Sequence, residues 1–296
     1  MTDSSQTTTA EPMTKQDALA RLLNGVSVEM TAGQIAKRDN LGEMLAAGSE
    51  VYIPYLPGSE IKATTGAAPK LIAQDLRPVP HIPARTLKSE RELDETLSEL
   101  AGYGVDTVLL IAGDTNPAAG PFDSTMDVLE TGLLAKHGMT RIAVAGHPEG
   151  HPHADSAELD RAIEVKSAYA KDKGAEMWIV TQFIFSTEPL IKWDRHLLDK
   201  GFDLPVHVGL PGPAKLPTLL KYAVQCGVTA SAAMLAKRPS SMKLLGRWAA
   251  DDILTELAEM QADPAQETLV RGIHIYPFGD LTHAVDWLQG LRQDSA

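Results

Sequence analysis

Short apolar runs recur along the chain, separated by longer segments whose apolar residues follow helical spacing. The runs GVSVEM (25–30), VYIPY (51–55), RPVPHIPA (77–84), TVLLIAG (107–113), RIAVAGH (141–147), MWIVTQF (177–183), PVHVGL (205–210) and GIHIYPF (272–278) read as eight buried strands. In FDSTMDVLETGLLAKHG the spacing predicts a helix capped by Asp123 or Ser124, with Met126, Leu129 and Leu133 on one face and Gly138 at its end. ADSAELDRAIEVKSAYAKDKG predicts another, ending at Gly174. Most strand starts are about 25 to 36 residues apart, the length of one βα unit. The longer last gap holds two helical patterns, KLPTLLKYAVQCG and WAADDILTELAEMQA.

Strands that alternate with helices pair in parallel, and eight such units predict a closed (β/α)8 barrel of the TIM type. An open doubly wound sheet is the alternative, but no G-x-G-x-x-G follows the first strand. The third strand is expected to be the weakest, because Pro78, Pro80 and Pro83 remove ladder donors. The polar residues 1–16 are expected to form a disordered tail, which leaves 17–296 as one barrel domain.

Composition narrows the partners. The 296 residues carry a net charge of -12, which argues against nucleic acid or an anionic membrane as the main partner. No apolar stretch approaches the ~20 residues needed to span a bilayer, and the N-terminus lacks a secretory apolar core. Cys226 is the single cysteine, so thiolate-held zinc is out and a reducing cytoplasm fits. The sequence leaves open whether copies of the chain form a homo-oligomer.

Chemistry in such barrels sits at the C-terminal ends of the strands. Those positions hold Glu29, Tyr55, His81, Asp114, His147 with His151, Gln182 and Tyr276. Singly, each has an ordinary reading: a solvated carboxylate, an Asx turn before Pro117, a satisfied histidine. Together they converge on one end, where two carboxylates, an amide and imidazoles could transfer protons and orient a polar heterocycle. Gln182 is hardest to dismiss, because it interrupts the apolar run IVTQFIF and a buried amide without partners costs roughly 1 to 3 kcal/mol. The cluster HPEGHPH offers His147, His151 and His153 to a metal, but its prolines and loop position give no helical pair of imidazoles, and no metal is expected. No G-x-S-x-G elbow or Walker loop appears.

LIAGD after the fourth strand, AGHPEGHPHADSAELD after the fifth and KGAEMWIVTQFIF through the sixth resemble the methylenetetrahydrofolate reductase family, over residues 25 to about 292. The resemblance implies a (β/α)8 catalytic barrel. It also implies FAD at the mouth, with hydride passing from NAD(P)H to 5,10-methylenetetrahydrofolate or in the reverse direction. It implies Glu29 as the general acid that protonates N10 of the folate, Asp114 between flavin and pterin, and Gln182 hydrogen-bonded to the pterin. His81, Ala145 and His151 match flavin-contacting positions, His147 stands near the flavin where a tyrosine is usual, and Asp160 and Lys171 match positions holding the outer part of FAD. Eleven residues along a helix turn by about 1100°, so Asp160 and Lys171 share a face. Tyr276 joins Glu29, Asp114 and Gln182 as a substrate-facing residue.

The chain departs from the family at Ala112, where an arginine is usual, at Pro54 and His147, and at Met30, Thr31 and Ala32 after the glutamate. No aromatic stands in GLPGPAKLP after the seventh strand, where one usually stacks on nicotinamide or folate. Three other readings stay open. A flavin-independent enzyme would pass hydride directly from NADH to the folate; the missing arginine favours it, and Asp160, Lys171 and His151 oppose it. A one-carbon transferase without redox chemistry would need an acceptor, and Cys226 is expected on a helix away from the mouth. A ligand-binding paralogue without turnover is opposed by the retention of Glu29, Asp114 and Gln182.

Overall fold

A computed structural model describes residues 13–151, 154–226, 228, 246–278 and 280–294. Every one of the eight apolar runs is a strand: β1 (Ser27–Glu29), β2 (Glu50–Ile53), β3 (Arg77–Pro83), β4 (Thr107–Ile111), β5 (Arg141–Gly146), β6 (Glu176–Phe183), β7 (Val206–Pro211) and β8 (Val270–Tyr276). They pair in parallel in sequence order, and β8 returns to β1 to close the barrel. The proline-bearing β3 runs for seven residues and pairs on both sides. Pro78 and Pro80 are two residues apart, so their missing donors fall on the same side of the strand.

The barrel is filled rather than hollow. Tyr52, Val79, Leu109, Ala143, Trp178 and Val180 form its interior cluster, and the Trp178 indole N–H donates to the buried Tyr52 hydroxyl at 3.0 Å. At the N-terminal end of the strands Arg141 lies 5.2 Å over the Trp178 ring and pairs with Glu50 at 2.9 Å and with Glu176. Paired charges thus cover the Trp178 ring at that end.

The helices form an outer layer over a larger apolar core between strand and helix. The segment expected as one helix after β4 is two, Thr125–Glu130 and Leu133–Lys136, because Gly132 takes φ +70° between them. Its start matches one of the two expected caps, with Ser124 and Asp127 forming a reciprocal box. The helix Ser156–Lys173 starts at Asp155 and ends at Gly174, φ +63°, where a left-handed residue suits glycine. Residues 1–12 of the expected tail lie outside the described residues, while Lys15 and Gln16 open the first helix, Lys15–Leu23. That helix packs on the helix Asp251–Ala262, where Lys15 meets Glu259 at 2.6 Å.

Candidate active site

Parallel closure brings the strand-end residues to one mouth, in two adjoining groups. At the centre Glu29 ends β1 and faces His81 of β3, with Oε2 and Nε2 3.7 Å apart. Although 24% of the Glu29 side-chain surface stays accessible, protein atoms crowd it, and burial pushes its carboxyl up to about 8. Burial holds the His81 imidazole down at about 3. Both groups are therefore neutral at pH 7, a carboxylic acid beside an imidazole rather than an ion pair.

Across the mouth, the Tyr276 hydroxyl donates to the Thr181 carbonyl at 3.0 Å. Burial raises its phenol well above the ordinary range, and the carboxylate of Glu29 adds to the shift. The ladder between β6 and β7 slips between Val180 and Phe183, and the Thr181 hydroxyl fills the gap by accepting from the Gly209 N–H at 2.9 Å. Gln182 sits in this irregularity, half-buried. Its side-chain oxygen accepts only from the neighbouring Phe183 N–H at 3.1 Å, and no described residue accepts from its amide nitrogen. A Cβ on Gly209 would lie 2.4 Å from the Thr181 oxygen and 2.8 Å from the Tyr276 ring, so β7 can pass beneath these residues only as glycine.

The second group lines a lateral cavity of about 420 Å³ at the ends of β4 and β5. Asp114, Ala145, His147 and His151 all face it. The two histidine rings meet edge to face at 4.8 Å. Burial, then the neighbouring His151 and Lys166, lower His147 to about 4. Lys166 is the residue that sequence reasoning missed. It is 7% exposed, lines the cavity, has no ion-pair partner among the described residues, and is lowered by burial to about 8. A lysine on the cavity face of the helix Ser156–Lys173, in step with Glu158 and Ala162 at four-residue spacing, was the available signal.

Two expected cofactor residues face elsewhere. Asp160 pairs with His196 at 2.8 Å and Lys200 at 3.6 Å, and Lys171 is exposed and pairs with Asp203 at 3.0 Å. They do share a helical face, but it is not the cavity face. His81 is not in the lateral cavity either, because β3 turns it toward Glu29. Tyr55 is satisfied locally, donating to the Ser59 carbonyl at 2.8 Å.

Cys226 also departs from expectation, since it ends the helix Leu216–Gln225 at the rim of the mouth rather than away from it. Its surface is exposed, so the desolvation that raises its thiol is partial; the carboxylates of Glu29 and Asp114 raise it further, to about 11. Held as a thiol, it is a poor nucleophile. Asp114, which lines the cavity, is thus near enough to the rim to act electrostatically on Cys226. On that helix Tyr222, after β7 and beyond GLPGPAKLP, stacks at 4.4 Å on Phe278, which follows β8. Among the described residues no three His, Cys, Asp or Glu side chains gather as metal ligands, and His153 lies outside those residues. No described helix is long and apolar enough to cross a membrane.

Comparison with known proteins identifies the family. The Methylenetetrahydrofolate reductase family matches residues 39–277. The chain is 26% identical over 216 residues to the 5,10-methylenetetrahydrofolate reductase of Pectobacterium carotovorum subsp. carotovorum, covering 70% of this chain and 68% of that protein. It is 26% identical over 242 residues to the Escherichia coli K12 protein of the same name, covering 78% and 73%. With a maize protein, methylenetetrahydrofolate reductase (NADH) 1, it is 29% identical over 144 residues, 44% of this chain and 24% of that one. With the family spanning most of the barrel and the mouth assembled from its strand ends, the chain belongs to the methylenetetrahydrofolate reductase family and is an oxidoreductase.

Proposed function

We propose that the protein interconverts 5,10-methylenetetrahydrofolate and 5-methyltetrahydrofolate by hydride transfer from or to NAD(P)H, with FAD in the lateral cavity. The observation that carries this reading is the Glu29 carboxyl at the mouth, three-quarters buried and facing His81 Nε2 at 3.7 Å. Glu29, raised to about 8, can give its proton to N10 of the folate as the five-membered ring opens. The methylene carbon left behind as an iminium then takes a hydride to become the methyl group. Gln182 offers a free amide donor to the pterin edge, and Asp114 adds negative charge in the cavity near the rim. Tyr276, fixed by Thr181, walls the folate side.

The residues present fit a dinucleotide. A buried lysine without an ion-pair partner is costly unless an anion meets it, and Lys166 lines a cavity of about 420 Å³. Lys166 would hold the diphosphate, while Ala145, His147 and His151 would border the ring system. When bound, FAD would supply a carrier that accepts and returns hydride. Lys166→Met should lower FAD affinity at least about 10-fold while raising the melting temperature, because an uncompensated buried charge is removed. Unchanged FAD affinity would count against this site.

Ala112, and the outward-facing Asp160 and Lys171, favour a second reading in which NADH occupies the cavity itself and passes hydride directly to the folate. The absorption spectrum of protein reconstituted with FAD separates the two. A bound, bleachable flavin supports the first; NADH-dependent folate reduction without flavin supports the second. Glu29 is the acid in both.

A further inference from the structure

We propose that His81 is a positioning residue for the acid on Glu29: its buried Nε2 takes up one carboxyl oxygen of Glu29 and turns the other, which carries the transferable proton, toward the folate. The inference rests on the reading of Glu29 as the folate acid. His81 lies on β3, two strands from β1, and points across the mouth at Glu29 rather than into the lateral cavity. Its Nε2 is fully buried and makes no hydrogen bond among the described residues. A buried imidazole nitrogen left unpaired is costly, and Glu29 Oε2 stands 3.7 Å away, placed to serve it. A rotation of the Glu29 side chain within its staggered wells can shorten that gap to a hydrogen bond.

The direction of the bond follows from what the acid must do. If Nε2 carries the imidazole proton, it donates to the carbonyl oxygen of the neutral acid and leaves the hydroxyl free to face substrate. Were Nε2 bare, the Glu29 hydroxyl would donate to it, and its proton would point away from the mouth. Burial keeps both partners neutral, so neither ion-pair formation nor repulsion competes with this arrangement. The other titratable groups that act on or feel Glu29 are Tyr276 of β8 and Cys226 at the end of the helix Leu216–Gln225. His274 of β8 also faces His81, and its Nδ1 is engaged by the Ser27 hydroxyl at 2.8 Å. Among these described groups His81 is the imidazole whose nitrogen lies within 4 Å of the Glu29 carboxyl, at 3.7 Å. The Tyr52 ring, 6.3 Å away at 82°, sets the edge of His81 from the barrel interior and limits its rotation.

The test uses His81→Leu, His81→Gln, Glu29→Gln and the double variant Glu29→Gln with His81→Leu. Each is assayed for folate reduction from pH 6 to 9, with KM for the nicotinamide donor and melting temperature measured alongside. His81→Leu should lower kcat for the folate about 10- to 100-fold, with donor KM unchanged. Leucine keeps water out but removes the donor that steadies the carboxylate, so the alkaline limb should move to higher pH. His81→Gln, whose amide can donate in place of the ring, should restore most of kcat and the original limb. The double variant should be no slower than Glu29→Gln, since both changes remove one unit.

Wild-type kcat and limb in His81→Leu would overturn the proposal, as would fully additive losses, or a loss confined to donor KM. If Glu29→Gln itself reduces folate normally, it is the underlying assignment of the acid that fails. Should His81→Leu unfold, the Gln variant decides alone: a kcat and limb like wild type support the proposal, and a kcat as low as that of Glu29→Gln overturns it.

Discussion

A carboxyl group can deliver a proton at neutral pH only if water has not already taken it, and Glu29 meets that condition by burial. Glu29→Gln should therefore cut folate reduction by about 100-fold or more while leaving oxidation of the nicotinamide by an artificial acceptor intact. In the wild type, folate reduction should fall along an alkaline limb near pH 8, where Glu29 loses its proton. Stability carries the same signature. The folded pKa lies above the ordinary carboxylate value, so the folded state holds a proton that the unfolded chain has released. This group's contribution is full below the unfolded pKa and is lost as pH rises through about 8. Thermal melts should show Glu29→Gln gaining on the wild type between pH 5 and 9. Gln182 makes the opposite case, because among the described residues its side chain bonds only the adjacent Phe183 N–H. Gln182→Ala should weaken folate binding about 10-fold, within the roughly 1 to 3 kcal/mol of a lost polar contact, with the melting temperature nearly unchanged. A lowered melting temperature with normal folate kinetics would make Gln182 a core amide instead.

At the scale of elements, the sequence was most readable where one period ruled. Apolar runs marked every strand, because a strand buried on both faces has few polar positions to confuse it. The helix Ser156–Lys173 shows where that legibility stopped. Its C-terminal end was plain from Gly174, yet the face turned to the cavity was not. Lys166 and Lys171 are separated by about 500° of helical rotation, some 140° around the axis, so choosing the wrong lysine selects a different side. Only the packing of the helix against β6, and of its other face near His196 and Asp203, decides between them. The slip between β6 and β7 was equally unreadable, since no residue announces it except Gly209. Gly209→Ala would press a methyl to 2.4 Å from the Thr181 carbonyl oxygen. It should cost roughly 1 to 3 kcal/mol of stability and raise the folate KM, as Gln182 and Tyr276 shift together. Calorimetry and steady-state kinetics on the same preparation test both effects.

On the scale of the whole molecule, closure turns a list of strand ends into a site, and closure depends on a slim seam. β1 is three residues long, pairs with β8 through Ser27 and Val28, and is pinned there by the buried Ser27 hydroxyl on His274 Nδ1 at 2.8 Å. Glu29 is the next residue. The dryness that makes it an acid is therefore tied to the seam, and local opening costs less than global unfolding. Warming should let water reach Glu29 while the rest of the barrel is still folded, sliding the alkaline limit of folate reduction downward before the melting transition begins. The acid would then act as an internal thermometer. It would set a working ceiling below the temperature at which circular dichroism sees any change, and tightening the seam would raise that ceiling without altering a residue that touches substrate.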